Sequence, residues 1–278
     1  MPLSINTNIA SMTAQRSFLN SNSALEQAFE RLSTGKRVNS AVDDAAGLAI
    51  GKDLEARVSG LNQAVRNVND GISMVQIAEG ALGEVHDVLT RMRDLAVQGY
   101  NGSLSATELG YLETEHDKLA AALDSALNQA KFDGIDLISG TGTTITVQSG
   151  ANAGETTAVV IHNDSFALTA SGLGVADGDI DFTSLNASQA DITHIQDAID
   201  DVAGYRAGLG ATQAQLESTV RNLANVADNT AAAAGRIMDT DYAAETANLT
   251  KAQILQQAAT SVLAQANAQP QAVLALLQ

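Results

Sequence analysis

No proline lies between Pro2 and Pro270, so the whole interior of this chain lacks the residue that most often ends a helix. Proline has no backbone N–H to donate, and its ring clashes with the preceding helical turn. A chain without it can sustain unusually long helices. The first constraint is therefore on architecture, and it favours helices longer than those of an ordinary globular domain.

The composition indicates how such helices would pack. Hydrophobic residues make up 45% of the 278 residues, yet only 3% are aromatic and none is Trp. A core of this kind is built from Ala, Leu, Val and Ile on helix seams, as in a bundle. The formal net charge of -17 argues against the basic face that nucleic acid binding requires. The absence of cysteine excludes disulfides, thiolate metal sites and cysteine nucleophiles.

The strongest periodic signal is an apolar residue at every seventh position. One row comprises Leu54, Leu61, Val68, Val75, Leu82, Leu89 and Ala96. A second row runs beside it through Val58, Val65 and Ile72, then shifts by one position to Ala78, Val85 and Met92. This spacing predicts a coiled-coil-like helix from about Asp44 to Gly99. Glycines within it, such as Gly60 and Gly71, each cost about 1 kcal/mol of helix propensity.

The rest of the interior contains two further helices and a turn-rich segment. Ser105 and Glu108 have the spacing of a capping box that opens a second helix. From about 132 to 187, alternation at 144–148 and 158–161 around turn residues predicts a β-hairpin. A third helix begins near Ser188, and its length predicts an antiparallel return beside the first. The predicted fold is mainly α: a long antiparallel coiled-coil-like helix bundle with a small β-hairpin region and paired terminal helices.

Both ends are amphipathic segments that lack a large apolar partner of their own. We expect them to pack on each other or on neighbouring molecules, and to order fully only with such partners. This divides the chain into terminal helical arms at 1–40 and 237–278 and a core at 41–236. The candidate assembly residues on the arms are Ile5, Ile9, Met12, Leu19, Phe29, Leu32, Ile254, Leu255, Val262, Leu263, Leu274 and Leu277.

Sequence patterns for catalysis, metals and membranes are not found. The four histidines, His86, His116, His162 and His194, lie far apart and form no HExxH pair. Asp177, Asp179 and Asp181 alternate but lack the Gly and Glu of a calcium loop. We therefore expect no enzyme activity, no metal and no cofactor. Neither a signal peptide nor a membrane-spanning stretch of about 18 apolar residues is predicted.

Segments near both ends resemble those of bacterial flagellins. Toward the start they are SINTNI from Ser4, LSTGKRVN from Leu32, DDAAGLAI from Asp43 and NVNDGISM from Asn67. Toward the end they are IMDTDYAAE from Ile237, AQILQQA from Ala252, VLAQAN from Val262 and VLALL from Val273. The matching stretches cover most of residues 1–138 and 190–278 in the order the family has them.

The resemblance implies a structural subunit that self-assembles into the helical filament used for swimming. Its terminal arms would form the inner tube, and its long helices and hairpin the outer tube. It also implies an extracellular place on the bacterial flagellum, reached unfolded with an export chaperone through the flagellar export apparatus. The filament cap and the hook–filament junction proteins would be further partners. The segment from about 140 to 188 is too short for a separate outer domain, so the chain resembles the short form.

A stretch from Leu89 to Gln98 is similar to the flagellin segment that the animal Toll-like flagellin receptor binds. The resemblance makes Arg91, Leu95 and Glu115 candidate receptor contacts. Because Leu89 and Met92 also lie on the heptad seam, we interpret the segment first as an assembly surface.

The main alternative is a binding or adaptor protein, such as a component of the hook–filament junction. Such a protein would share terminal arms of this type without polymerising indefinitely. The matches that begin at Leu32 and Ala252 favour the filament subunit. An enzyme is a more distant alternative.

Overall fold

The computed structural model describes residues 7–138, 144–161, 169–176 and 189–275. In chain order the elements are α1 (Ile9–Thr34), α2 (Ala45–Gly99), α3 (Ala106–Gln129), β1 (Lys131–Phe132), β2 (Ile135–Asp136), β3 (Thr144–Gln148), β4 (Thr156–Val160), α4 (Gln189–Met238) and α5 (Tyr242–Ala275). The chain divides into a terminal unit, Met1–Arg57 with Asn229–Gln278, and a middle unit, Val58–Asp228. The prediction of a mainly α fold is confirmed.

Helix α2 confirms the heptad interpretation. Within the middle unit, Val68, Val75, Leu82 and Leu89 of the first row are all buried. The second row is half-buried up to Ile72 and buried from Ala78 onward, where its register shifts. The seam thus lies in the core of the middle unit, as its spacing predicts.

Helix α3 begins with the expected capping box. The Ser105 backbone N–H donates to the Glu108 carboxylate at 2.8 Å, and the Glu108 N–H donates to the Ser105 hydroxyl at 3.4 Å. The backbone and side-chain hydrogen bonds from Ser105 lower the pKa of Glu108. The inner face of α3 is Leu109, Leu112, His116, Ala120, Leu123 and Leu127. His116 therefore occupies a core position on a helical seam.

Helix α4 runs antiparallel to α2 in the middle unit, as predicted. Arg206 of α4 forms an ion pair of 3.1 Å with Glu79 of α2. Further along, Arg93 of α2 donates at 2.9 Å to Gln196 of α4. Between these two contacts the residue number increases along α2 and decreases along α4, so the two helices run in opposite directions.

Strands β3 and β4 form the predicted hairpin, with Thr144 opposite Val160 and Gln148 opposite Thr156. Val147 and Val159 face the core. A Cβ on Gly71 would lie 3.0 Å from Cγ2 of Val147, and one on Gly60 would lie 3.1 Å from the Cβ of Ala151. These glycines of α2 leave room for the hairpin, which explains their place in a helix.

A second, smaller ladder of β1 with β2 was not predicted. Its turn is Asp133-Gly134, and both residues have positive φ, 48° and 81°. Such a pair is the turn that a two-residue hairpin favours. The Asp-Gly pair is visible in the sequence, but strands of only two residues are too short to show the alternating pattern that predicts a strand.

Candidate assembly surface

The terminal unit contains α1 packed along α5. Helix α1 begins at an Asn8 cap, whose side chain accepts from the Ser11 N–H at 3.0 Å. It ends at Gly35, whose φ of 70° allows its N–H to donate to the Arg31 carbonyl at 2.9 Å. Both ends of the helix are thus set by local hydrogen bonds.

The two helices meet along a seam spaced by three and four residues. On α1 the positions with this spacing, all buried or half-buried, are Ser11, Ala14, Phe18, Ser21, Leu25, Ala28 and Leu32. On α5 they are Glu245, Leu249, Ala252, Gln256, Ala259, Leu263 and Ala266. This is an antiparallel heptad seam in which Ala252, Ala259 and Ala266 of α5 occupy three successive seventh positions. Small side chains at the contact allow two helix axes to approach closely.

Polar pairs set the register of this seam. The Asn8 side chain donates to the Ala266 carbonyl at 2.7 Å, and the Ser11 hydroxyl donates to Asn267 at 2.7 Å. Midway, Gln256 donates to Asn22 at 3.0 Å. A one-residue slip would break these bonds, so they specify the alignment at some expense of stability.

At the far end of the seam, Arg31 and Glu245 form an ion pair of 3.8 Å. Glu245 is 7% exposed. Removing Arg31 would leave a largely buried carboxylate without this partner, which makes the pair a further determinant of register.

Most of the large apolar side chains on α1 and α5 point away from the seam. Ile9 is 62% exposed and Leu19 is 66% exposed. The other exposed members of the predicted set are Met12, Phe29, Ile254, Leu255 and Val262. Leu32 and Leu263 are half-buried in the seam. Ile5, Leu277 and the side chain of Leu274 lie outside the described residues.

A groove runs beside the seam. Its apolar part has a volume of about 550 Å³ and is lined by Ile9, Ser17, Leu255, Ala259 and Val262, among others. It continues into a polar part of about 410 Å³ that shares Ser21 and Leu255 and includes Arg31, Glu245 and Lys251. The helix pair therefore presents both exposed apolar side chains and a groove whose lining is partly apolar.

The charge is unevenly distributed along the chain. The terminal unit contains eight Lys or Arg and nine Asp or Glu, whereas the middle unit contains seven and 23. Nearly all of the net charge of -17 therefore belongs to the middle unit. Copies of a nearly neutral unit can pack together without strong repulsion.

The candidate receptor residues occupy two different environments. Arg91 of α2 and Glu115 of α3 are partly exposed and form an ion pair at 2.5 Å. Leu95, in contrast, is 1% exposed and belongs to the core cluster of the middle unit. The structure thus brings Arg91 and Glu115 together at the surface and places Leu95 inside.

Across the described ranges, no group of three or more His, Cys, Asp or Glu side chains could hold a metal ion. His162 and Asp177, Asp179 and Asp181 lie outside those ranges. Of the helices described, none is long and apolar enough to cross a membrane.

Sequence reasoning missed the alanine row at Ala252, Ala259 and Ala266. The predicted set consists of large apolar residues, and most of those described are exposed. Alanine at every seventh position was the available signal, but alanine is also common on solvated helix faces and therefore draws little attention.

Comparisons with known proteins agree with this architecture. A family model described as the bacterial flagellin N-terminal helical region matches residues 5–143, and one described as the C-terminal helical region matches residues 192–277. A flagellin of Halalkalibacterium halodurans is 42% identical over 275 residues, covering 99% of both chains. The flagellar filament 33 kDa core protein of Treponema phagedenis is 40% identical over 289 residues, again covering 99% of both.

A solved structure described as a flagellar hook-associated protein of Vibrio parahaemolyticus covers 71% of this chain and 100% of its own. The TM-score is 0.57 at 19% sequence identity, so this similarity concerns the fold alone.

Proposed function

Because the chain belongs to the bacterial flagellin family, we propose that its paired terminal helices drive polymerisation and form the inner tube of the filament. The chain is a structural subunit of the helical flagellar filament that serves swimming. Its full-length match to a relative of nearly equal length identifies it as a short flagellin.

The arrangement of α1 and α5 carries the proposal. Their shared seam combines alanine and polar residues with half-buried leucines, whereas Ile9, Leu19, Leu255 and Val262 face outward. Exposed apolar side chains on a nearly neutral unit favour contact with another protein surface. Identical subunits joined by heterologous contacts that do not close produce a helical polymer. The terminal arms at 1–40 and 237–278 would supply these contacts, and the core at 41–236 would surround them.

Other partners follow from the family. We propose export of the unfolded chain to the cell exterior with a chaperone through the flagellar export apparatus, and contact with the filament cap and junction proteins. The exposure of most large apolar side chains on α1 and α5 supports this, because helices with few buried apolar contacts unfold locally with little cost. No catalytic role is proposed for the chain.

The junction alternative has less support. Its one favourable observation is the similarity of fold to the hook-associated protein from Vibrio parahaemolyticus. The identity of 40% over the whole chain to a filament core protein weighs toward the filament subunit.

A Toll-like flagellin receptor is a further proposed partner. Arg91 and Glu115 form an exposed ion pair on adjacent helices, so a docked protein could reach both. The contact through Leu95 stays a prediction, since this side chain is buried in the folded subunit.

The direct test is seeded polymerisation of the full chain, followed by negative-stain electron microscopy. We expect long tubes from the unmodified chain and none from a Leu255→Gln, Val262→Gln double variant. A matched control carries Ala247→Gln and Thr250→Gln, two exposed positions of the same helix, and should still polymerise. If the unmodified chain stays monomeric under every seeding condition, the proposal fails and the junction alternative takes its place.

A further inference from the structure

Val42 lies in the loop between α1 and α2, and its side chain is 95% exposed. Among the described large hydrophobic residues the next most exposed is Tyr111, at 71%, which carries a hydroxyl group. Single exposed hydrophobic side chains are common on proteins, so exposure alone assigns no role. The loop that carries Val42 is, however, held in a fixed conformation by hydrogen bonds.

Asp43 holds this loop in one conformation. Its carboxylate accepts from the backbone N–H of Asn39 at 3.2 Å and of Ser40 at 2.9 Å, and from the Ser40 hydroxyl at 3.0 Å. The Gln27 side chain donates to the other oxygen at 3.1 Å. The bond from Gln27 ties the loop to α1, and the other three fix the conformation within the loop.

A second tie to α1 comes from Asn39, whose side chain donates to Glu30 at 2.6 Å. None of these bonds uses the side chain of Val42, so a polar residue there would leave the loop equally ordered. A preorganised loop loses little conformational entropy on docking, so most of the free energy of burying an apolar tip is retained. A fixed loop that presents an apolar side chain to solvent is therefore well suited to docking on another surface.

We propose that Val42 is covered by the terminal unit of a second copy of this chain in the filament. The inference rests on the proposed function, since only assembly brings such a copy close. Charge selects the terminal unit as the partner surface. Asp43 and Asp44 directly follow Val42, and the middle unit with its 23 acidic residues would repel them. The terminal unit is nearly neutral and presents uncharged apolar side chains such as Leu255 and Val262.

A thiol at position 42 tests this contact, because the chain has no cysteine and Val42→Cys would be its single reactive site. We expect a maleimide to label the free subunit readily and the seeded filament at least about tenfold more slowly. Depolymerisation of the same filaments should restore the labelling rate. Filaments that label as fast as free subunits would overturn the contact while leaving the proposed function intact. Failure of the unmodified chain to polymerise would overturn both.

Assembly of substituted chains provides a second readout. Val42→Thr keeps the shape of the side chain but replaces a methyl with a hydroxyl, and should raise the critical concentration roughly tenfold. Val42→Ile and Ala41→Ser, the latter in the same loop, should polymerise like the unmodified chain. An unchanged critical concentration for Val42→Thr contradicts the proposal.

Discussion

Gly51 of α2 lies so close to Met238 that a Cβ on the glycine would overlap the methionine Sδ and Cγ. Met238 is 2% exposed, so its side chain has little room to move. We expect Gly51→Ala to lower the free energy of unfolding by about 1–3 kcal/mol, the usual effect of overpacking. Urea unfolding followed by circular dichroism measures the change.

Gly80 of the same helix is the matched control. Nothing lies within 4 Å of the position its Cβ would take. Gly80→Ala should therefore raise the free energy of unfolding by about 0.5–1 kcal/mol through helix propensity alone. Equal effects of the two substitutions would show that the contact with Met238 does not matter.

Hydrogen bonds to its charged form lower the pKa of Asp43 from 3.8 to about 2. The backbone N–H of Ser40 contributes most, followed by the Gln27 and Ser40 side chains. A depressed pKa means that the folded loop favours the carboxylate, so this stabilisation is present above about pH 4 and lost as the pH falls toward 2. Carboxyl NMR titration should give a midpoint near 2. The difference in free energy of unfolding between Asp43→Asn and the unmodified chain should shrink as the pH falls over the same interval.

The capping box at the start of α3 should contribute measurably to the free energy of unfolding. Ser105→Ala removes the hydroxyl that accepts the Glu108 N–H, and we expect a loss of about 1 kcal/mol in the free energy of unfolding. Ser103→Ala, in the exposed loop just before, should have little effect. Hydrogen exchange in the first turn of α3 locates the change. If both substitutions leave that exchange unaltered, the cap is not formed in solution.

The sequence predicted the long helices because their heptads continue far beyond what chance spacing produces. Leu61, Val68 and Leu82 repeat in one register, and burial follows that register. The hairpin was also predictable, since polar and apolar residues alternate at 144–148 and only one face of such a strand can pack on a core. The terminal helices were harder. Ile254 and Ala259 both fit an inward face, and only the tertiary pairing shows that the alanine turns inward.

The Arg91 and Glu115 ion pair should matter for recognition more than for folding. Both side chains are partly exposed, so their coupling in a double-mutant cycle should be below about 1 kcal/mol. Arg91→Ala and Glu115→Ala should leave thermal unfolding nearly unchanged and reduce activation of a receptor-reporter cell. A variant at another exposed ion pair, Lys131→Ala, serves as the control. Undiminished activation by both Arg91→Ala and Glu115→Ala would remove these residues from the receptor surface.

The alanine seam predicts how the terminal helices respond to a larger side chain. Ala259 is buried between α1 and α5, next to the half-buried Gln256 and Leu263 of the same seam. Ala259→Leu would push the helices apart or shift their register, at a cost of about 1–3 kcal/mol per subunit. Because the polar bonds of Ser11 and Asn267 require close approach, they would be lost as well. The filament should therefore depolymerise at a lower temperature than that of the unmodified chain. Ala247→Leu adds the same volume at an exposed position of α5 and should leave that temperature unchanged. If Ala259→Leu filaments melt like those of the control, the helices do not meet along this seam in the polymer.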